Sequence, residues 1–369
     1  MSNKKFQTFF DCGFSKIRAG TFNVDNDIDA FFAESKLSTD RSKLELNIKE
    51  IISSLENNSN EYINSINLML DSSNMLSIGI SLSKKLYGSE LKQENIKFLV
   101  QEAKQEILKN YTSHNIIHIL INNYRIDGND YFSLPDEVEC HFISLDIIFV
   151  CLPTDLILYF KDIFSKSDIL IDKIICTSYA KSINCKNNLN LSGHVSFIDI
   201  GFSKTSITTY LNEKIISIDT LSIGGNHITK DISKVLEISM EKSEHIKINF
   251  DENPEISDKK NELLDILQKV IFARTDEILE LSKKSIKSNS LLTDVQKVFL
   301  TGEGSKIFKN KYNNKIFPSI NVDFLEENLE DICKSGFRLI SKPNKQEVIV
   351  VPKKPLKEGF FEKLFHLFK

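Results

Sequence analysis

Apolar positions along this chain recur with two periods, and the change from one to the other marks its elements. Leu44, Leu46, Ile48, Ile51, Ile52 and Leu55 follow the helical spacing, and Ile96, Leu99, Val100, Ala103 and Ile107 make one face of a helix over 94–108. The same reasoning predicts helices over 153–164, near 229–237 and over 262–284. Short apolar or alternating runs predict strands at 66–70, 116–121 and 138–152, and one from Val298 into a glycine turn at 302–304. Strands alternating with helices in two halves predict an α/β chain of two lobes with a cleft between them.

One pattern occurs twice. Residues 9–16 read Phe-Phe-Asp-Cys-Gly-Phe-Ser-Lys and residues 197–204 read Phe-Ile-Asp-Ile-Gly-Phe-Ser-Lys. Each copy follows an apolar run and precedes an alternating one, which predicts a β-hairpin at the same place in each lobe. Glycine in such a turn lets backbone N–H groups approach a phosphate closely, and an aspartate at a strand end is a hard oxygen ligand suited to Mg²⁺. Two facing turns would grip one nucleotide tail. Asp11, Gly13, Ser15 and Lys16 would do so from one side, and Asp199, Gly201, Ser203, Lys204 and Thr205 from the other. Gly302, Gly304 and Ser305 would supply flat backbone for an adenosine. Asp11 and Asp199 are the candidate metal ligands.

Composition narrows the classes. Of 369 residues 41% are hydrophobic and 27% charged, which is ordinary for a folded protein, and the net charge of −4 argues against a general nucleic-acid binder. None of the six cysteines forms a CxxC pair, so neither a zinc site nor a thioredoxin-type motif is expected, and their apolar surroundings predict buried free thiols. No signal peptide and no spanning helix are expected.

The last dozen residues change character. On a helical wheel Phe360, Phe361, Leu364, Phe365, Leu367 and Phe368 share an arc of about 160°, opposite Glu362, Lys363, His366 and Lys369. Eleven residues reach only about 16 Å, so such a helix lies in a membrane interface and does not span it. Residues 342–369 hold seven lysines and three glutamates, a charge of +4 that leaves −8 for the rest. That suits an anionic leaflet, with Lys357 and Lys363 as basic contacts. Single-copy attachment is expected to be weak, and assembly would strengthen it.

These motifs resemble the actin, hexokinase and heat-shock-chaperone superfamily, and within it the FtsA family, over essentially the whole chain. The resemblance implies a two-lobed actin-like fold, that is, a duplicated ribonuclease H-like fold, with an FtsA-type 1C subdomain and a C-terminal amphipathic helix. Its units would be 1–76 with 150–190 (first lobe core), 77–149 (1C), 191–225 with 293–341 (second lobe core), 226–292 (a reduced 2B), a 342–356 linker and a 357–369 membrane helix. Residues 225–232, Gly-Asn-His-Ile-Thr-Lys-Asp-Ile, look like the family's Gly-Asn-x-x-Thr-x-Asp-Ile, and 244–247 like its next nucleotide-side helix. The resemblance therefore adds Gly225, Glu244 and Lys247 to the nucleotide residues. Arg274 and Glu277 look like the family's Arg-x-x-Glu, on a helix that helps to receive the C-terminal tail of FtsZ. ATP and Mg²⁺ are the implied cofactors. The implied partners are the FtsZ tail, further copies of the chain, membrane lipids and other divisome proteins, on the cytoplasmic side of the cell membrane at the septum. Where the family's second loop runs Asp-x-Gly-Gly-Gly-Thr, this chain has Phe202, Ser203 and Lys204, and Glu303 adds a negative charge beside the adenosine loop. Efficient hydrolysis, and so an enzyme, is not expected. A PilM-like assembly scaffold and a small-molecule kinase are the alternatives.

Overall fold

A computed structural model describes residues 6–25, 29–38, 40–135, 138–250, 261–289, 297–308, 316–317 and 320–348. The residues expected to meet a membrane, Lys357, Phe360, Phe361, Lys363, Leu364, Phe365, Leu367 and Phe368, lie outside the described residues.

The repeated motif is the visible trace of a repeated sheet. In the first lobe β1 (Phe6–Cys12), β2 (Lys16–Asn23) and β3 (Ala30–Lys36) form an antiparallel meander. After helix α1 (Arg41–Ser59), β4 (Ser65–Leu70) pairs parallel with β1, and β9 (Leu170–Cys176) pairs parallel with β4. In the second lobe β10 (His194–Ile200), β11 (Thr205–Leu211) and β12 (Lys214–Leu221) repeat the meander, while β13 (Lys297–Thr301) and β14 (Asn321–Phe324) repeat the parallel pair. The strand orders, β3-β2-β1-β4-β9 and β12-β11-β10-β13-β14, are identical in pattern. Asp11 and Asp199 hold equivalent positions near the ends of their first strands.

Between β4 and α3 (Thr154–Ser165) the first lobe carries an inserted subdomain. It consists of β5 (Leu76–Glu90), α2 (Gln93–Asn110), β6 (His114–Ile126), β7 (Asn129–Tyr131) and β8 (Glu139–Pro153), in the order β5-β8-β6-β7. The predicted face of α2 packs Leu99, Val100, Ala103 and Ile107 into a core with Ile119, Ile121, Ile143, Leu145 and Phe149. The unbroken apolar run at the end of β8 has a physical reason. Successive strand residues point to opposite faces, and here both are covered. Ile147, Phe149 and Cys151 enter the subdomain core, while Ile148, Val150 and Leu152 enter the first-lobe core.

Two helices join the lobes. Helix α4 (Thr177–Asn188) is buried over most of its length, and α8 (Leu329–Ser341) was expected to belong with the second lobe. Instead α8 lays its apolar face on the first. Phe337 stacks on Phe22 at 4.9 Å and meets Phe9 edge-on at 6.0 Å, and Cys333 and Leu339 share that core. Gly336 permits the approach, since a Cβ there would stand 2.6 Å from Met69 Sδ. Helices α5 (Gly225–Leu236), α6 (Met240–Ile248) and α7 (Asn261–Asn289) complete the second lobe around Ile228, Ile232, Leu267 and Ile271. No helix among the described residues is long and apolar enough to cross a membrane.

Beyond α8 the chain returns to the subdomain. Ile121 N donates to Gln346 O (2.8 Å), and Val348 N donates to Ile119 O (2.9 Å). Buried Gln346 also accepts from Ile215 N of β12 at 2.8 Å. Glu347 Oε1 lies 2.6 Å from His118 Nδ1, and Cys176 N donates to His118 Nε2 at 3.0 Å, so the imidazole proton belongs on the nitrogen facing Glu347. All six cysteines are free thiols.

Candidate functional site

Both hairpin turns close in the same way. Gly13 N donates to Lys16 O at 3.0 Å, and Gly201 N donates to Lys204 O at 2.9 Å. Their tips face a solvent-open cleft whose water-accessible interior is about 110 Å³, with Phe14 and Phe202 in its lining. Asp11, Gly13, Ser15, Asp199, Gly201, Lys204, Gly302 and Ser305 all line it, so the structure brings most of the predicted nucleotide residues together.

The chemistry on the cleft floor differs from that expected. Asp11 is buried and already has two partners: Arg18 Nη1 at 3.1 Å and Thr177 Oγ1 at 2.9 Å. Burial pushes its carboxyl above the usual range, against the pull of Arg18. The partner follows from hairpin register, which sets Asp11 opposite Arg18. At the equivalent place in the second lobe Asp199 faces Ser206, which has no charge to offer. There α4 supplies the cation. Lys181 Nζ stands 2.9 Å from Asp199 Oδ1 and 2.7 Å from Glu327 Oε2. Burial alone would raise the Asp199 carboxyl, but Lys181 and Lys204 outweigh it and hold it below the usual range. Burial likewise disfavours the Lys181 ammonium, yet its two carboxylates raise its pKa. Lys204 Nζ donates to Asp71 Oδ2 at 2.8 Å and to the hydroxyl of Ser206. Glu303 lies 3.5 Å from Arg18 Nη2 and 3.7 Å from Lys16 Nζ, so its charge is matched from the opposite lobe.

The other predicted residues serve the loops. Thr205 donates to Ile223 O at 2.8 Å, and the Ser203 hydroxyl is buried without a hydrogen-bond partner among the described residues. Gly302 has φ +84°, and a Cβ there would lie 2.3 Å from Asp199 Oδ1, so this glycine seats its turn on the end of β10. Gly304 presses on Ile200 in the same way. Gly225 N donates to Gly201 O at 2.9 Å. Glu244 and Lys247 pair with each other at 2.7 Å and with Thr229, tying α6 to α5. Arg274 Nε donates to Asp231 Oδ2 at 2.6 Å and its Nη1 to Glu277, so this pair also knots α7 to α5.

Arg18, Asp71, Lys181 and Glu327 escaped sequence reasoning. Lys181 left a signal as a lone charge within Thr177–Ile183, and Arg18 one in the register of its hairpin. The donor set does not fit a divalent ion. Asp11 and Asp199 are each paired with a buried cation, and among the described residues no group of three or more His, Cys, Asp or Glu is placed to hold a metal. The exposed Lys306 lines the cleft with Gly302 and Ser305, and Lys16 reaches its lining residue Glu303 at 3.7 Å.

The duplicated sheets, the matched hairpins and the cleft between them define an actin-like protein. The PilM–PilN type IV pilus biogenesis complex contains a chain of the same fold, with a TM-score of 0.64 at 11% identity over 88% of this chain and 89% of that one. Within the actin-like class the chain is similar to FtsA. Residues 196–317 match the family described as cell division protein FtsA. FtsA of Buchnera aphidicola subsp. Acyrthosiphon pisum is 23% identical over 88% of this chain and 86% of its own length. FtsA of Agrobacterium fabrum is 22% identical over 60% of this chain and 54% of its own length.

Proposed function

We propose that this chain is a cell division scaffold of the FtsA type. It would join FtsZ filaments to the cytoplasmic face of the bacterial membrane, bind an adenine nucleotide in the cleft and assemble with copies of itself, without acting as an enzyme. The observation that carries the reading is the inserted subdomain between β4 and α3 on a duplicated actin-like body, in a chain related to cell division proteins. Residues 357–369 would lie on lipid. The face around Arg274 and Glu277 would receive the FtsZ tail. In support, α5, α6 and α7, the helices of the same unit, leave Val235, Met240, Ile248, Leu263 and Ile266 exposed.

The test is co-sedimentation with anionic lipid vesicles, with and without an FtsZ tail peptide. The full chain should pellet with vesicles and carry the peptide along, and deletion of 357–369 should leave both in the supernatant. Vesicle binding that survives the deletion would refute the membrane role. The PilM-like fold favours one other reading, a pilus-assembly scaffold, and on that reading the FtsZ peptide stays free while the chain still pellets.

A further inference from the structure

Three groups of ion pairs cross the cleft. Lys204 of β11 reaches Asp71, just beyond β4, at 2.8 Å. Lys181 of α4 reaches Asp199 and Glu327 of the second lobe at 2.9 and 2.7 Å. Lys16 and Arg18 of β2 reach Glu303 at 3.7 and 3.5 Å. The first two groups are shielded from water: Lys181 and Lys204 are 7% and 6% exposed. Among the charged groups on the floor, Asp11, Asp71, Asp199 and Glu327 face Arg18, Lys181 and Lys204, so the carboxylates exceed the cations by one.

Such a floor resists a divalent ion in two ways. Mg²⁺ demands near-octahedral oxygen ligation and dehydrates reluctantly, whereas carboxylate oxygens here already accept from N–H donors of Arg18, Lys181 and Lys204 and from the hydroxyl of Thr177. Freeing one carboxylate would strand a buried ammonium, which is strongly unfavourable. Each lysine Nζ also bridges elements of different lobes, as a metal shared between two loops would. We infer that Lys181 and Lys204 take the place of the metal, so that the cleft closes, and admits the nucleotide of the proposed function, without magnesium. The nucleotide part rests on that function; the closure does not. The nucleotide's phosphates would meet Lys306 of the cleft lining and Lys16, which reaches Glu303 there, where solvent-screened pairs are easily exchanged.

The experiment uses the full chain in EDTA, in EDTA with ATP, and in magnesium chloride with ATP. Small-angle scattering reads lobe closure, and the unfolding temperature reads binding. The expected result is the same closed radius of gyration in all three conditions, with any rise on adding ATP equal with and without metal. A saturable rise or a closure that requires magnesium overturns the inference. If ATP has no effect in either buffer, the nucleotide part of the proposed function fails while metal-free closure stands. A charge swap isolates the clamp. Lys204→Asp should widen the cleft, and Asp71→Lys with Lys204→Asp should restore the wild-type radius. A wild-type radius in soluble Lys204→Asp overturns the clamp. If that variant does not fold, the wild-type measurements decide.

Discussion

Replacing Lys181 by methionine tests the cleft floor most directly. The side chain keeps its length and its fit within α4 but loses the ammonium that lies 2.9 Å from Asp199 and 2.7 Å from Glu327. Removing one partner of a buried pair typically costs about 3–5 kcal/mol, because the remaining charge stays desolvated. Two carboxylates are left here, so the upper part of that range is expected near neutral pH, against a total stability on the order of 5–15 kcal/mol. The pH dependence makes the test specific. In the wild type, Asp199 is held below its unfolded pKa, so its contribution is present above the unfolded value and lost as pH falls through the folded one. Without Lys181, burial dominates and the folded carboxyls rise above their unfolded values, as Glu327 already does. A carboxyl of that kind penalises the folded state at high pH and ceases to do so as pH falls through its folded pKa. The gap in unfolding free energy between wild type and Lys181→Met should therefore be widest near about pH 8 and narrow steadily toward about pH 5. Denaturant titrations at several pH values measure it. A gap below about 1 kcal/mol, the range of an exposed pair, or one that does not change with pH, would refute a buried bridging role.

Three further outcomes follow from the packing. Gly336→Ala places a methyl 2.6 Å from Met69 Sδ and 3.0 Å from Phe9, so a loss of about 1–3 kcal/mol is expected in thermal unfolding. Gly302→Ala combines φ +84° with a Cβ 2.3 Å from Asp199, and should destabilise by more than the roughly 0.4–1 kcal/mol that a compatible Gly→Ala change gains. Burial pushes the Cys12, Cys176 and Cys333 thiols well up and Cys185 up to about 12, so a thiol-titrating reagent should react slowly with native protein and fully only once it unfolds.

What the sequence disclosed follows from local rules. Alternation on both sides of Gly13 and Gly201 set two hairpins, and the spacing of Ile96 to Ile107 set α2, because each depends on residues close in the chain. Turn length even fixes the register that puts Arg18 against Asp11, though an arginine in an alternating strand reads at first as solvent-facing. The floor was not legible, because its pairs join distant segments. Lys204 meets Asp71 from 133 residues away, and Lys181 meets Glu327 only through the placement of α4 between the lobes. A lysine in a mostly uncharged helix is ordinarily read as a surface residue, and only tertiary structure shows that carboxylates from the other lobe enclose Lys181. The docking of α8 on the first lobe was missed for the same reason. Its apolar face was readable, but the sheet that receives it was not.

The fastening of residues 346–348 bears on how force would travel through such a scaffold. A strain applied to the chain past Val348 meets the hydrogen bonds to Ile119 and Ile121, then the Gln346 contact with Ile215, before it reaches α8. Those contacts belong to the subdomain and to β12, so tension would be shared between two of the three units at the outset. A weak point there would let the tail peel away while both lobes stayed folded, which makes Gln346 the natural rip-stop of the molecule.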